Sequence, residues 1–133
     1  MKLDAETVRD VLLCLEDRII VNDAGEATEV TANDIVTYYN GKYSKGEVLY
    51  TLERLDEAGY VVFSALDASG RIVNASIIAI SYYGHEFLDT VRDVSVWQKT
   101  KQVIPAACMG VLSIIKDVAT EIIKNAVVKK LDL

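Results

Sequence analysis

Proline and histidine each occur once in this chain of 133 residues, and cysteine only twice. A single histidine, His85, leaves zinc and nucleophilic chemistry without a second imidazole. The run His85-Glu86-x-x-Asp89 has the spacing of a zinc-protease helix with aspartate as second ligand, but no third ligand with recognisable spacing accompanies it. The bland reading is an i, i+4 pair of His85 with Asp89. Cys14 and Cys108 lie far apart in apolar runs, which excludes a disulfide framework and a zinc knuckle and predicts buried thiols. No nucleophile elbow, phosphate loop or dinucleotide fingerprint occurs. The expectation is a protein that is not an enzyme and that carries no cofactor and no metal.

Long hydrophobic runs are also missing. The stretch from Ile104 to Ile115 is broken by Lys116-Asp117, short of the roughly 20 residues a membrane span needs. Charge interrupts the N-terminus at once, unlike a signal peptide. A soluble, cytoplasmic protein with no membrane partner is expected. Positive charge is scarce as well, with a net charge of −6. Residues 1–40 hold 3 basic and 9 acidic side chains, whereas residues 92–133 hold 7 and 4.

The organising stretch is Ser44 to Val62. Ser44 and Glu47 form an S-x-x-E capping box, and Tyr43 and Val48 occupy the two staple positions. Val48, Leu52 and Leu55 recur at helical spacing. Gly59 stops the helix, and Tyr60-Val61-Val62-Phe63 switches to a strand pattern. A shorter helix precedes it, capped by Thr31 with Asp34 three residues on and ended at Asn40-Gly41. Helix, short turn and helix is the helix-turn-helix spacing. A hairpin then follows, with one strand over 60–66, a turn at 67–70 and a return strand over 71–81. These elements predict a mainly α protein with a small antiparallel hairpin, α+β, organised as a winged helix-turn-helix with additional C-terminal helices.

Asp4 caps a first helix whose apolar stripe is Val8, Val11, Leu12, Leu15 and Ile19. Its other face carries Glu6, Arg9, Asp10, Glu16 and Asp17. Ser81 caps a fourth helix, a further helix starts near Ser95, and Pro105 ends it. The last helix, about 108–130, has apolar residues over an arc of roughly 180°, against the roughly 100° of a helix lying on one core. A winged-helix domain at 1–104 and an amphipathic helix at 105–133 for dimerisation or packing are expected. Val111, Ile115, Val118 and Ile122 are the candidate dimer-interface residues.

The outward face of the central helix supplies DNA-binding candidates: Lys42, Lys45, Tyr50, Thr51 and Arg54, with Arg71 on the hairpin. Residues 42–71 nonetheless hold 4 positive and 5 negative side chains. That balance is poor for phosphate neutralisation. Two functions are carried forward. One is a winged-helix regulator that binds double-stranded DNA as a homodimer. The other is a winged-helix protein–protein interaction module that does not bind DNA.

Several runs resemble a bacterial and phage-borne family known as a domain of unknown function. They are Met1-Lys2-Leu3-Asp4, Val8-Arg9-Asp10-Val11-Leu12-Leu13, Glu47-Val48-Leu49-Tyr50 with Leu52 and Leu55, and Glu57-Ala58-Gly59-Tyr60. The most distinctive is Gly84-His85-Glu86-Phe87-Leu88-Asp89, followed by Arg92-Asp93, Trp97 and Lys99-Thr100-Lys101. The chain departs from the pattern at Ser81-Tyr82-Tyr83, where Thr and Trp are more usual, and at Tyr50-Thr51, where Tyr-His is common. The resemblance covers nearly the whole chain and implies a winged-helix-like fold and, for the regulator reading, a phage or prophage type. It implies no activity, cofactor or catalytic residue.

Overall fold

The computed structural model describes residues 1–64 and 76–131. Helix α1 (Ala5–Arg18) starts at its predicted cap, where Asp4 accepts from the Glu6 N–H at 2.7 Å. Strand β1 (Val30–Thr31), helix α2 (Ala32–Tyr38) and helix α3 (Lys45–Glu57) follow. Strands β2 (Val61–Phe63) and β3 (Ser76–Ile80) come next, then helices α4 (Tyr82–Val91) and α5 (Val94–Val103). A 3-10 turn (Ala106–Cys108) leads into helix α6 (Leu112–Leu131). The protein is mainly helical with a small antiparallel sheet, hence α+β. The hairpin turn predicted at 67–70, the end of its first strand and the start of its second lie outside the described residues.

Helix starts follow the caps with one exchange. Ser44 accepts from the Glu47 N–H at 3.1 Å, but among the described residues the Glu47 carboxylate does not return the bond. Glu47 instead lines a groove with Lys2, Asp4 and Thr7. The full capping box belongs to α2. There the Asp34 N–H donates to the Thr31 hydroxyl at 3.2 Å and the Thr31 N–H donates to Asp34 at 2.9 Å. Tyr43 with Val48 and Val30 with Ile35 are buried, as staples require. Helix α3 ends on Gly59 at φ +75°, with the Tyr60 N–H reaching back to the Leu55 carbonyl at 2.8 Å.

The strands are ordered β1-β3-β2, all antiparallel. Val30 lies opposite Ile77, and Val61 opposite Ile80. The β2–β3 register slips between Val62↔Ala79 and Phe63↔Ile77, which leaves Ile78 as the bulged residue. Helix α1 is the hub. Its Val8, Val11, Leu12 and Leu15 are fully buried among α2, α3, α4 and β3. Helix α4 closes against the hairpin at Gly84, where an added Cβ would stand 2.2 Å from the Tyr60 carbonyl oxygen. The last helix begins at Leu112 rather than near 108, because the preceding segment is used elsewhere. There the Ala5 N–H donates to the Met109 carbonyl at 2.9 Å.

Candidate functional site

The outward face of α3 was the expected DNA interface, and its side chains are mostly engaged within the chain. Thr51 is 3% exposed and donates its hydroxyl to the Glu47 carbonyl at 2.8 Å, so it cannot contact a ligand. The hydroxyl satisfies itself on the carbonyl of the preceding turn. Arg54 lies 5.0 Å over the Tyr50 ring and pairs with Glu57 at 2.7 Å and with Glu53 at 3.7 Å. Lys42 sits 3.2 Å from the Asp10 carboxylate and 5.1 Å from the centre of the Tyr43 ring. Lys45 is exposed and makes no ion pair among the described residues. Arg71 lies outside the described residues. Helix α3 itself carries Lys45 and Arg54 against Glu47, Glu53, Asp56 and Glu57, a net charge of 2 − 4 = −2.

Lys42 is held by a buried polar knot that the sequence pattern did not reveal. Asp10 was assigned to the solvated face of α1, yet it is only 8% exposed. Its carboxylate accepts from the Tyr43 hydroxyl at 2.5 Å, and its backbone carbonyl accepts from the Tyr39 hydroxyl at 2.5 Å. The two rings meet edge to face at 5.7 Å. Burial, with the Asp10 charge adding to it, pushes both phenols above the ordinary tyrosine range. The knot fastens the turn between α2 and α3 to α1.

A second knot explains the distinctive run from Gly84 to Lys101. Arg9 on α1 donates to the Val91 carbonyl at 2.7 Å and to the Arg92 carbonyl at 2.9 Å, which satisfies the end of α4. Its guanidinium also lies 5.7 Å from the centre of the buried Trp97 ring. Lys101 approaches the same ring at 5.6 Å and pairs with Glu6 at 3.2 Å. Asp93 caps α5, accepting from the Val96 N–H at 2.9 Å. Asp89 pairs with Arg92 at 2.7 Å, not with His85 as expected, and Arg92 is also clamped by Glu16. Those two carboxylates hold the Arg92 guanidinium above its ordinary range. His85 itself is exposed. Among the described residues no group of three His, Cys, Asp or Glu side chains is placed to hold a metal ion. Cys14 is fully buried, and burial pushes its thiol up to about 11, away from reactivity.

Helix α6 divides into two halves. Ile115 and Ala119 are fully buried, and Lys116 pairs with Glu86 of α4 at 2.9 Å. Ile115 is therefore a core residue and not an interface residue, since α4 and α5 cover it. Val111 is 40% exposed, while Val118 and Ile122 are half-buried. From Lys124 onward every described residue is exposed, including Val127, Val128 and Leu131. Elsewhere, the end of α1, the loop after it and α2 enclose an open cleft of about 590 Å³. Asp17, Glu29 and Asp34 line it with Arg18, and Ile20, Val30 and Tyr38 supply its apolar surface.

Residues 2–110 match the family described as Hypothetical protein (DUF2513), and the chain belongs to that family. Neither a curated protein nor a solved structure matches the chain. Among the described residues no helix is long and apolar enough to cross a membrane.

Proposed function

We propose that the chain is a winged-helix protein–protein interaction module that presents α6 to a protein partner and does not bind DNA through α3. The observation that carries this reading is the charge of α3, which is net −2, with Arg54 tied to Glu53 and Glu57. Phosphate neutralisation supplies most non-specific DNA affinity, and a helix of this charge repels the backbone. The charge of Lys42 is offset by Asp10, 3.2 Å away. The exposed apolar residues of α6 are the complementary half of the argument, because a protein partner would cover them. We read the module as non-catalytic and cytoplasmic, in line with a Cys14 thiol that is free and buried.

The exposed Lys45 favours the rival reading, a homodimeric DNA-binding regulator. Titration of labelled random duplex DNA at low salt separates the two. The interaction-module reading expects no saturable binding. Binding that weakens with salt, and that Lys45→Glu or Arg54→Glu abolishes, would overturn it.

A further inference from the structure

We propose that the cleft between α1 and α2 is the seat for the exposed end of α6 from a second copy of this chain. The inference rests on the reading of α6 as the contact element and names both its partner and the surface that receives it.

The two surfaces are complementary in charge. The cleft presents three carboxylates, Asp17, Glu29 and Asp34, to one guanidinium. That guanidinium, Arg18, lies 5.2 Å over the Tyr38 ring. Glu29 is exposed and has no ion pair among the described residues. The last two turns of α6 carry Lys124, Lys129 and Lys130. Lys124 is 3.8 Å from Glu121, and the other two have no ion pair among the described residues.

The apolar surfaces are complementary as well. Ile20, 65% exposed, and the half-buried Tyr38 line the cleft with apolar surface. On α6 the exposed Val127 and Leu131 are i, i+4 neighbours and share a face. With 3.6 residues per turn, Lys124 and Lys130 flank that face on its two sides, within an arc of roughly 120°. An apolar pair between lysines suits a cleft lined by apolar side chains and carboxylates. Two turns of a helix about 10–12 Å across occupy roughly 1,000 Å³, more than the 590 Å³ of the cleft, so only one face of the helix enters it. Reciprocal exchange between two copies closes a twofold dimer, in which each copy supplies one tail and one cleft.

Sedimentation velocity on the full chain tests this, with far-UV circular dichroism melts to confirm that each variant folds. The wild-type chain is expected to dimerise, more weakly as salt rises. Glu29→Lys and Lys130→Glu should each weaken dimerisation about fivefold, roughly 1 kcal/mol. The double variant Glu29→Lys with Lys130→Glu should recover the wild-type constant. A wild-type chain that stays monomeric at high micromolar concentration overturns the proposal. So does a dimer that neither single variant weakens, or one that the double variant fails to restore. Such a dimer would assemble elsewhere, and a foreign basic helix or a small cation would then be the cleft's occupant. The DNA titration judges the interaction-module reading separately. A monomer that binds no DNA removes this seat and leaves that reading in place.

Discussion

Gly84→Ala sets two effects of known sign against each other. In a helix interior alanine is favoured over glycine by about 1 kcal/mol, so a free position in α4 would gain stability. Position 84 is not free. The new Cβ would lie 2.2 Å from the Tyr60 carbonyl oxygen and 2.7 Å from the Ile80 Cγ2. The oxygen is backbone and cannot swing away, and it already accepts from the Ser81 N–H at 2.9 Å. Helix α4 must therefore move off the hairpin by about 1 Å to reach ordinary contact. That shift loosens Phe87 and Leu88, both fully buried. Overpacking of this kind costs about 3 kcal/mol, the upper part of its usual range, so the net expectation is a loss of about 2 kcal/mol. With a urea m-value near 2 kcal/mol/M, the unfolding midpoint should fall by about 1 M. Gly46→Ala is the internal control, because its Cβ would meet only the Ser44 hydroxyl oxygen at 3.8 Å. That variant should match the wild type or gain up to about 1 kcal/mol. If Gly84→Ala matched its control, the close approach of α4 to Tyr60 would be refuted.

Asp10→Ala leaves the Tyr43 hydroxyl and Lys42 without their acceptor and should cost about 2–3 kcal/mol in urea unfolding, whereas Lys42→Ala should cost under about 1 kcal/mol. The raised phenols of Tyr39 and Tyr43 make stability fall at alkaline pH. Unfolding releases their protons above about pH 10 while the folded chain keeps them, so their contribution is complete below that pH and lost progressively above it. Thermal melts from pH 9 to pH 11 follow this loss, and Tyr43→Phe should flatten the slope. Thr31→Ala removes one half of a closed capping box and should cost about 1 kcal/mol by the same urea assay, as should Ser44→Ala.

What was legible in the sequence was what local chemistry decides. The caps at Asp4, Thr31, Ser44 and Ser81 start their helices, and Gly59 ends α3. The apolar stripe of α1 is buried at Val8, Val11, Leu12 and Leu15. Periodicity failed on the other side of that helix. It assumes one buried face and one wet face, but α1 is in contact with α2, α3, α4 and β3. Arg9 and Asp10 therefore reach partners far along the chain, at Val91, Arg92 and Tyr43. No spacing rule connects residues at that separation. The same limit put Thr51 on an outward face and Ile115 at an interface although both are buried, because a helical wheel gives direction and not what stands there.

The second knot also changes what the distinctive run from Gly84 to Lys101 means. Each of its polar residues with a described partner holds the chain together. Asp89 and Glu16 clamp Arg92, Asp93 caps α5, and Lys101 joins Glu6 beside Trp97. Gly84 is required by the contact with Tyr60, and Phe87 and Leu88 are core. A residue pattern with these duties reports architecture, so substitutions within it should move stability before they move binding. The family match ends at residue 110, two residues before α6 begins. Two of the surfaces that expose apolar or charged groups are the outer half of α6 and the cleft of α1 and α2. Only the cleft falls within the matched span. On the proposed reading, the contact helix α6 follows the matched span, while the scaffold that carries it lies within that span.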